Sequence, residues 1–236
     1  MEWTGEGLLI GVRRHGESSV IAEAMVVGRG RQLGLVRGGR SSKQAAALQP
    51  GNTVQLTWRA RLEDHLGAFT IELLQARAAE LIADRRRLYL SQLVCEHLRL
   101  LPERDPHDRL LGMALRLLEV PPDGAELVRF ELAILDELGY GLDLSACAAT
   151  GVLDDLTHVS PRSGRAVSRN AAQPYLERLL PLPSFLSGRG NASPSDIAAA
   201  FRLSGHFLHS HVWGPRQLDP PPTREPLVEL LSRPLD

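Results

Sequence analysis

The chain has 236 residues, enough for one large or two small domains, each with its own core. Apolar residues make up 43% of it, which excludes a disordered chain, and no apolar run approaches the ~20 residues of a membrane span. Its 27 basic and 28 acidic residues nearly cancel, so any contact with a polyanion has to be local. The two cysteines, Cys95 and Cys147, allow one bridge at most and fit a reducing cytosol. No opening segment combines a basic flank, an apolar run and a small-residue cleavage site, so a cytoplasmic protein is expected.

Up to residue 77 the pattern predicts short strands. Residues 8–14, 20–27 and 33–36 are rich in Val, Ile and Leu, and are punctuated by Gly16-Glu17-Ser18, Gly28-Arg29-Gly30 and Gly38-Gly39. After Pro50-Gly51-Asn52, residues 53–62 alternate with period two. Val54, Leu56, Trp58, Ala60 and Leu62 share one face, and Gln55, Thr57, Arg59 and Arg61 share the other. Phe69, Ile71 and Leu73 repeat the pattern after a turn over 63–67. Five strands with one long connection between the third and fourth predict a small closed barrel of the OB type.

From Ala78 the period becomes helical, with Leu81, Leu88, Leu93, Leu98 and Leu101 in one run that Pro102 terminates. Helices are also predicted over 107–118, over 123–138 before Gly139, from Ser193-Pro194-Ser195-Asp196 through 197–212, and over 225–231. Residues 152–169 read as a loop or hairpin. The fold class is therefore α+β: a barrel domain over 1–77, then a helical domain over 78–236 with a loop or hairpin insertion near 147–170.

Charge is unevenly distributed over this plan. Residues 24–62 hold no carboxylate but seven basic residues: Arg29, Arg31, Arg37, Arg40, Lys43, Arg59 and Arg61. Such a local field suits nucleic acid, because neutralising phosphates releases counterions. Arg37-Gly38-Gly39-Arg40 with Lys43 is the leading candidate, since glycines let amides approach phosphate while arginines add forked donors. Arg59 and Arg61 form a second candidate, and Arg14 a weaker one beside Glu17. The alternative is a turn and strand face whose arginines are only solvated. Trp58 and Phe69 lie on the apolar phase and are assigned to the core rather than to base stacking.

Other constellations carry less. His206, His209 and His211 do not share one helix face, and no nearby acid completes a metal site. Neither cysteine is placed with an orienting acid, and no phosphate-binding P-loop pattern occurs, so no enzyme activity is expected.

Val12-Arg13-Arg14-His15-Gly16-Glu17-Ser18-Ser19, Gly34-Leu35-Val36-Arg37-Gly38-Gly39-Arg40 and Leu48-Gln49-Pro50-Gly51-Asn52 resemble the bacterial RecO family of DNA-repair proteins. So do Arg129-Phe130-Glu131-Leu132-Ala133-Ile134-Leu135, Leu138-Gly139-Tyr140-Gly141-Leu142, Cys147, and Val159-Ser160-Pro161 with Gly164. The resemblance covers essentially the full length. It implies a recombination mediator of the RecF pathway that binds single- and double-stranded DNA and anneals complementary strands. With RecR, such a mediator helps load RecA onto strands coated with single-strand-binding protein. The resemblance also implies that the helical domain receives the acidic C-terminal tail of that coating protein, with Arg129 and Phe130 as candidate contacts. Arg85-Arg86-Arg87 could serve the same partner or DNA. An OB-type RNA- or tRNA-binding module without mediator activity is the competing reading.

Many members of the family hold zinc with four cysteines, beginning Cys-x-x-Cys. This chain has Cys147 at the first position, Thr150 at the second, and no cysteine after Cys147. Cys147 and His158 cannot supply four ligands, so no zinc or other cofactor is expected. The segment 147–170 is instead expected to be held by packing and hydrogen bonds.

Overall fold

The computed structural model describes residues 1–62, 64–188 and 190–233. Glu63, the first residue of the turn expected over 63–67, lies outside them. By contacts the chain forms two compact units, Met1–Pro121 and Pro122–Asp236.

In the first unit, strands β1 (Glu2–His15), β2 (Ser19–Val26), β3 (Gly30–Val36), β4 (Thr53–Arg59) and β5 (Ala68–Gln75) close in the order β1-β2-β3-β5-β4. The ladders are antiparallel except for the closing β3–β5 pair, which meets in parallel at Leu35 and Ala68. A short helix, α1 (Ser42–Ala45), lies in the long connection between β3 and β4. Leu9, Ala22, Ala24, Val54, Leu56, Trp58, Phe69 and Ile71 fill the interior. The alternation of residues 53–62 therefore holds for Val54, Leu56 and Trp58. It fails beyond Arg59, where the strand stops and Leu62 is 51% exposed. Leu73 stays in register opposite Val54 but is 39% exposed, outside the core.

Strand β2 is buried on both faces. Val20, Ala22, Ala24 and Val26 point into the barrel, while Ile21, Glu23 and Met25 take the opposite phase. On that outer side, Glu23 accepts a hydrogen bond from Arg99 Nε at 2.9 Å. Arg99 caps the end of a helix expected to run unbroken from Ala78. The run is in fact two helices, α2 (Ala78–Ala83) and α3 (Arg85–Leu98). Asp84 separates them: its backbone is extended and its carboxylate accepts from the amides of Arg86 and Arg87 at 2.7 and 3.1 Å. Helix α4 (Asp108–Glu119) completes the unit.

Strands give way to helices at residue 77, but the compact unit extends to Pro121. The reason is a set of bonds between barrel and helices. Buried Arg77 donates to Thr53 Oγ1, to Gln75 Oε1 at 2.6 Å and to Glu119 Oε1 at 3.0 Å. Asn52 Oδ1 accepts from the amides of Arg77 and Ala78. Gly30 lets the Asp105 backbone approach so closely that a Cβ there would sit 1.8 Å from its carbonyl oxygen.

The second unit is built on α5 (Gly124–Glu137) and α7 (Pro194–Leu208). Asp123 caps α5, and Ser193 with Asp196 forms a capping box on α7. The helix expected through residue 212 ends at Leu208 and passes into one π turn, His209–Trp213, which turns Trp213 into the core. The expected hairpin is present as β6 (Leu156–Val159) and β7 (Ala166–Ser168), with β8 (Leu180–Pro181) on the other edge of β6. Helices α6 (Arg169–Ala172) and α8 (Arg224–Leu231) complete the unit. Glu131 of α5 is fully buried, and Arg224 grips both of its oxygens at 2.8 Å.

Candidate nucleic-acid interface

The turn after β3 separates its two glycines. Gly38 has φ +64 and open space where a Cβ would be, and its carbonyl accepts from Ser41 N at 3.0 Å. Gly39 was a candidate contact, but it is buried: a Cβ there would fall 2.6 Å from Val20 Cγ2. It packs the turn onto the barrel end and presents nothing to a ligand. Arg37 and Arg40 flank the pair on the surface. Arg40 is tied to the β1–β2 turn through its amide to Ser18 O at 3.1 Å and its guanidinium to Glu17 O at 2.5 Å. Arg14 is exposed on β1, in register with Val20, next to that same turn.

Arg37 and Arg59 line one cleft of about 510 Å³ across the β3, β5 and β4 edges. Gln44 of α1 and Thr70 of β5 add polar groups, and Phe69 forms part of the wall. Helix α1 also carries exposed Lys43, and exposed Arg61 lies two residues beyond Arg59. Arg59 donates to Glu2 Oε1 at 2.8 Å, a contact that holds the Glu2 carboxyl below the usual carboxylate range. Both side chains are more than half exposed, so a phosphate can take the place of Glu2 at little cost.

Arg29 sits elsewhere. Its guanidinium lies 4.7 Å over the ring of Trp3, and Trp3 stacks on Trp58 at 5.9 Å. Pattern reading missed Trp3, because the long β1 begins at Glu2, well before the Val/Ile/Leu run that signals it. Its one legible sign was an aromatic residue among alternating polar residues.

Arg31 does not belong to an open basic face. It donates to Glu23 Oε1 at 2.5 Å and to Leu101 O at 2.8 Å, and lies 3.6 Å from Glu103. Its side chain is only 18% exposed, because it anchors the segment after α3 to the barrel. The acid-free window ends at Glu23, and that boundary acid is the partner of Arg31.

In the second unit, Arg129 donates to Glu126 and stands over the Phe185 ring at 5.4 Å. Phe130 is 0% exposed and part of the core, so it offers no surface to a partner. The helix phase that exposes Arg129 buries its neighbour. A separate apolar cleft of about 490 Å³ is lined by Phe201, Trp213, Pro220–Pro222 and Arg202. His206 lies 3.3 Å from Pro161 O, while His211 stacks between Tyr140 and Phe207. Among the described residues, no group of three His, Cys, Asp or Glu side chains is placed to hold a metal ion. No helix among them is long and apolar enough to cross a membrane.

The family model "Recombination protein O N terminal" matches residues 1–77, and "Recombination protein O C terminal" matches residues 82–218. The chain is 53% identical over 233 residues to the DNA repair protein RecO of Sinorhizobium medicae, covering 97% of this chain and 94% of the relative. It is 52% identical to that of Agrobacterium fabrum (100% and 95% covered) and 49% identical to that of Brucella abortus (99% and 97% covered). The chain belongs to the RecO family of DNA repair proteins.

Proposed function

We propose that this chain is a non-enzymatic DNA recombination mediator of the cytoplasm, whose barrel binds single- and double-stranded DNA. The closed strand order β1-β2-β3-β5-β4, with α1 between β3 and β4, supports an OB-type barrel. The observation that carries the reading is the convergence of Arg37 and Arg59 on one cleft, with Lys43 and Arg61 close by in the chain. Forked guanidinium donors on a groove of this kind track a phosphate backbone. Annealing then needs only that two polyanions be neutralised and brought together, because base pairing supplies the driving energy. Family membership supports the further steps: with RecR, the chain helps RecA load onto strands coated by single-strand-binding protein. For the acidic tail of that protein, the apolar cleft beside Arg202 is a better receiver than Phe130. Phe201, Trp213 and Pro220–Pro222 give it an apolar wall beside His209 and Glu225, and Arg202 in its lining can meet a terminal carboxylate.

The test is salt-titrated binding of single-stranded DNA by wild type and by Arg37→Ala/Arg59→Ala, followed by annealing of coated complementary strands with and without RecR. Each lost phosphate contact should flatten the slope of log K against log salt by about 0.7. A double variant with unchanged affinity and slope removes the cleft from the interface.

A further inference from the structure

Two short pairs of residues face each other at the base of the β6–β7 hairpin. Cys147 and Thr150 are three positions apart, and so are Ser168 and Ala171. Cys147 Sγ accepts the Ser168 amide at 3.2 Å. Ala171 packs on the apolar cluster formed by Cys147, Val167 and Ala172. The backbone closes round the same point: Cys147 N donates to Val152 O at 2.8 Å, Gly151 N to Cys147 O at 2.9 Å, and Ala148 N to Ala166 O at 2.8 Å.

Two i, i+3 pairs around one centre have the layout of a four-ligand zinc knuckle. The side chains present do not fit zinc. They are one thiol, two neutral hydroxyls and a methyl group, and zinc requires four thiolate, imidazole or carboxylate ligands. His158 does not complete the set, because among the described residues no three His, Cys, Asp or Glu side chains are grouped to hold a metal ion.

We infer that a hydrogen-bonded knot centred on the Cys147 sulfur does the structural work of a metal here, with Thr150, Ser168 and Ala171 at the three remaining ligand positions. The Ser168 amide reaches the Cys147 sulfur and Ala148 N reaches Ala166 O, so the knot joins the same two chain segments a metal would join. Cys147 and Ser168 are buried on the apolar cluster, while Thr150 is exposed.

The experiment restores the ligands in the full chain through Thr150→Cys, Ser168→Cys and Ala171→Cys. This variant should take up one equivalent of Co²⁺, with thiolate-to-cobalt charge transfer and tetrahedral absorption bands, and release it to Zn²⁺. Wild type should take up none, and its unfolding midpoint should not move with a chelator. A folded triple variant that binds no cobalt overturns the assignment of positions 150, 168 and 171. Wild type that retains near one equivalent of zinc, lost on Cys147→Ser, overturns the metal-free knot. A second measurement does not depend on the triple variant folding. In Cys147→Ala, hydrogen exchange at the Ser168 amide should speed up about tenfold, as expected for one lost hydrogen bond. Unchanged exchange there overturns the knot as well.

Discussion

Arg31 and Glu23 face each other across adjacent strands at 2.5 Å, and this pair takes one arginine out of the open part of the basic window. Glu23 is 10% exposed and also holds Arg99, so one carboxylate fastens the end of α3 and the segment after it to the barrel wall.

Arg31→Ala should therefore lower stability rather than DNA affinity. The variant loses the bonds to Glu23 and Leu101 O and leaves Glu23 with Arg99 alone, at a cost of about 1 to 3 kcal/mol. Urea unfolding should show that loss. The salt slope of single-strand binding should match wild type, and a flattened slope would return Arg31 to the interface.

On the proposed interface, Glu2 would compete with phosphate for Arg59. Glu2→Ala frees the guanidinium at the mouth of the cleft, where solvent already weakens the pair. Affinity for single-stranded DNA at low salt should rise, by up to about fivefold, and the gain should fade as salt rises. A fall in affinity would mean that Glu2 orients Arg59 instead of occupying it.

Glu131 and Arg224 join α5 to α8, and Ser204 of α7 donates to the same carboxylate at 2.5 Å. Glu131→Ala should cost about 3 to 5 kcal/mol, because Arg224 would be left partly buried without its carboxylate. Glu131→Leu with Arg224→Met should recover much of the loss. Chemical denaturation of both variants checks this; equal destabilisation of the single and double variants would argue against the ion pair as the cause.

The two cysteines should respond oppositely to pH. Burial pushes the Cys95 thiol up to about 12. Burial also opposes ionisation of Cys147, but the Ser168 and Thr150 donors outweigh it and hold that thiol down to about 6. The folded state therefore releases the Cys147 proton before the unfolded state does. This contribution is fully present above the ordinary thiol range and is lost as pH falls through about 6. Wild-type stability should rise between pH 6 and 8.5, and Cys147→Ser should flatten the rise. A parallel pH dependence in the two proteins would assign the rise to other groups.

Much of the architecture follows from local signals. Period-two alternation in Val54, Leu56 and Trp58, helical spacing from Ala78, and the Ser193–Asp196 capping box are each short-range patterns with a local physical cause. They locate the elements within a few residues. Where the reading failed, a long-range contact or a single local bond intervened. Asp84 broke one predicted helix in two by capping α3, and a π turn ended another before His211.

The candidate site divides in the same way. The acid-free stretch with its seven basic residues is a property of the sequence alone, and so is the absence of a second cysteine near Cys147. Which of those charges are available is a property of the tertiary structure. Arg37 and Arg59 share a cleft because β5 lies between β3 and β4, while Arg31 is held by Glu23, Leu101 and Glu103. A sequence records how many charges a segment carries. Only folding brings distant residues within bonding distance, and that distance separates an arginine that anchors a helix from one that can bind a phosphate.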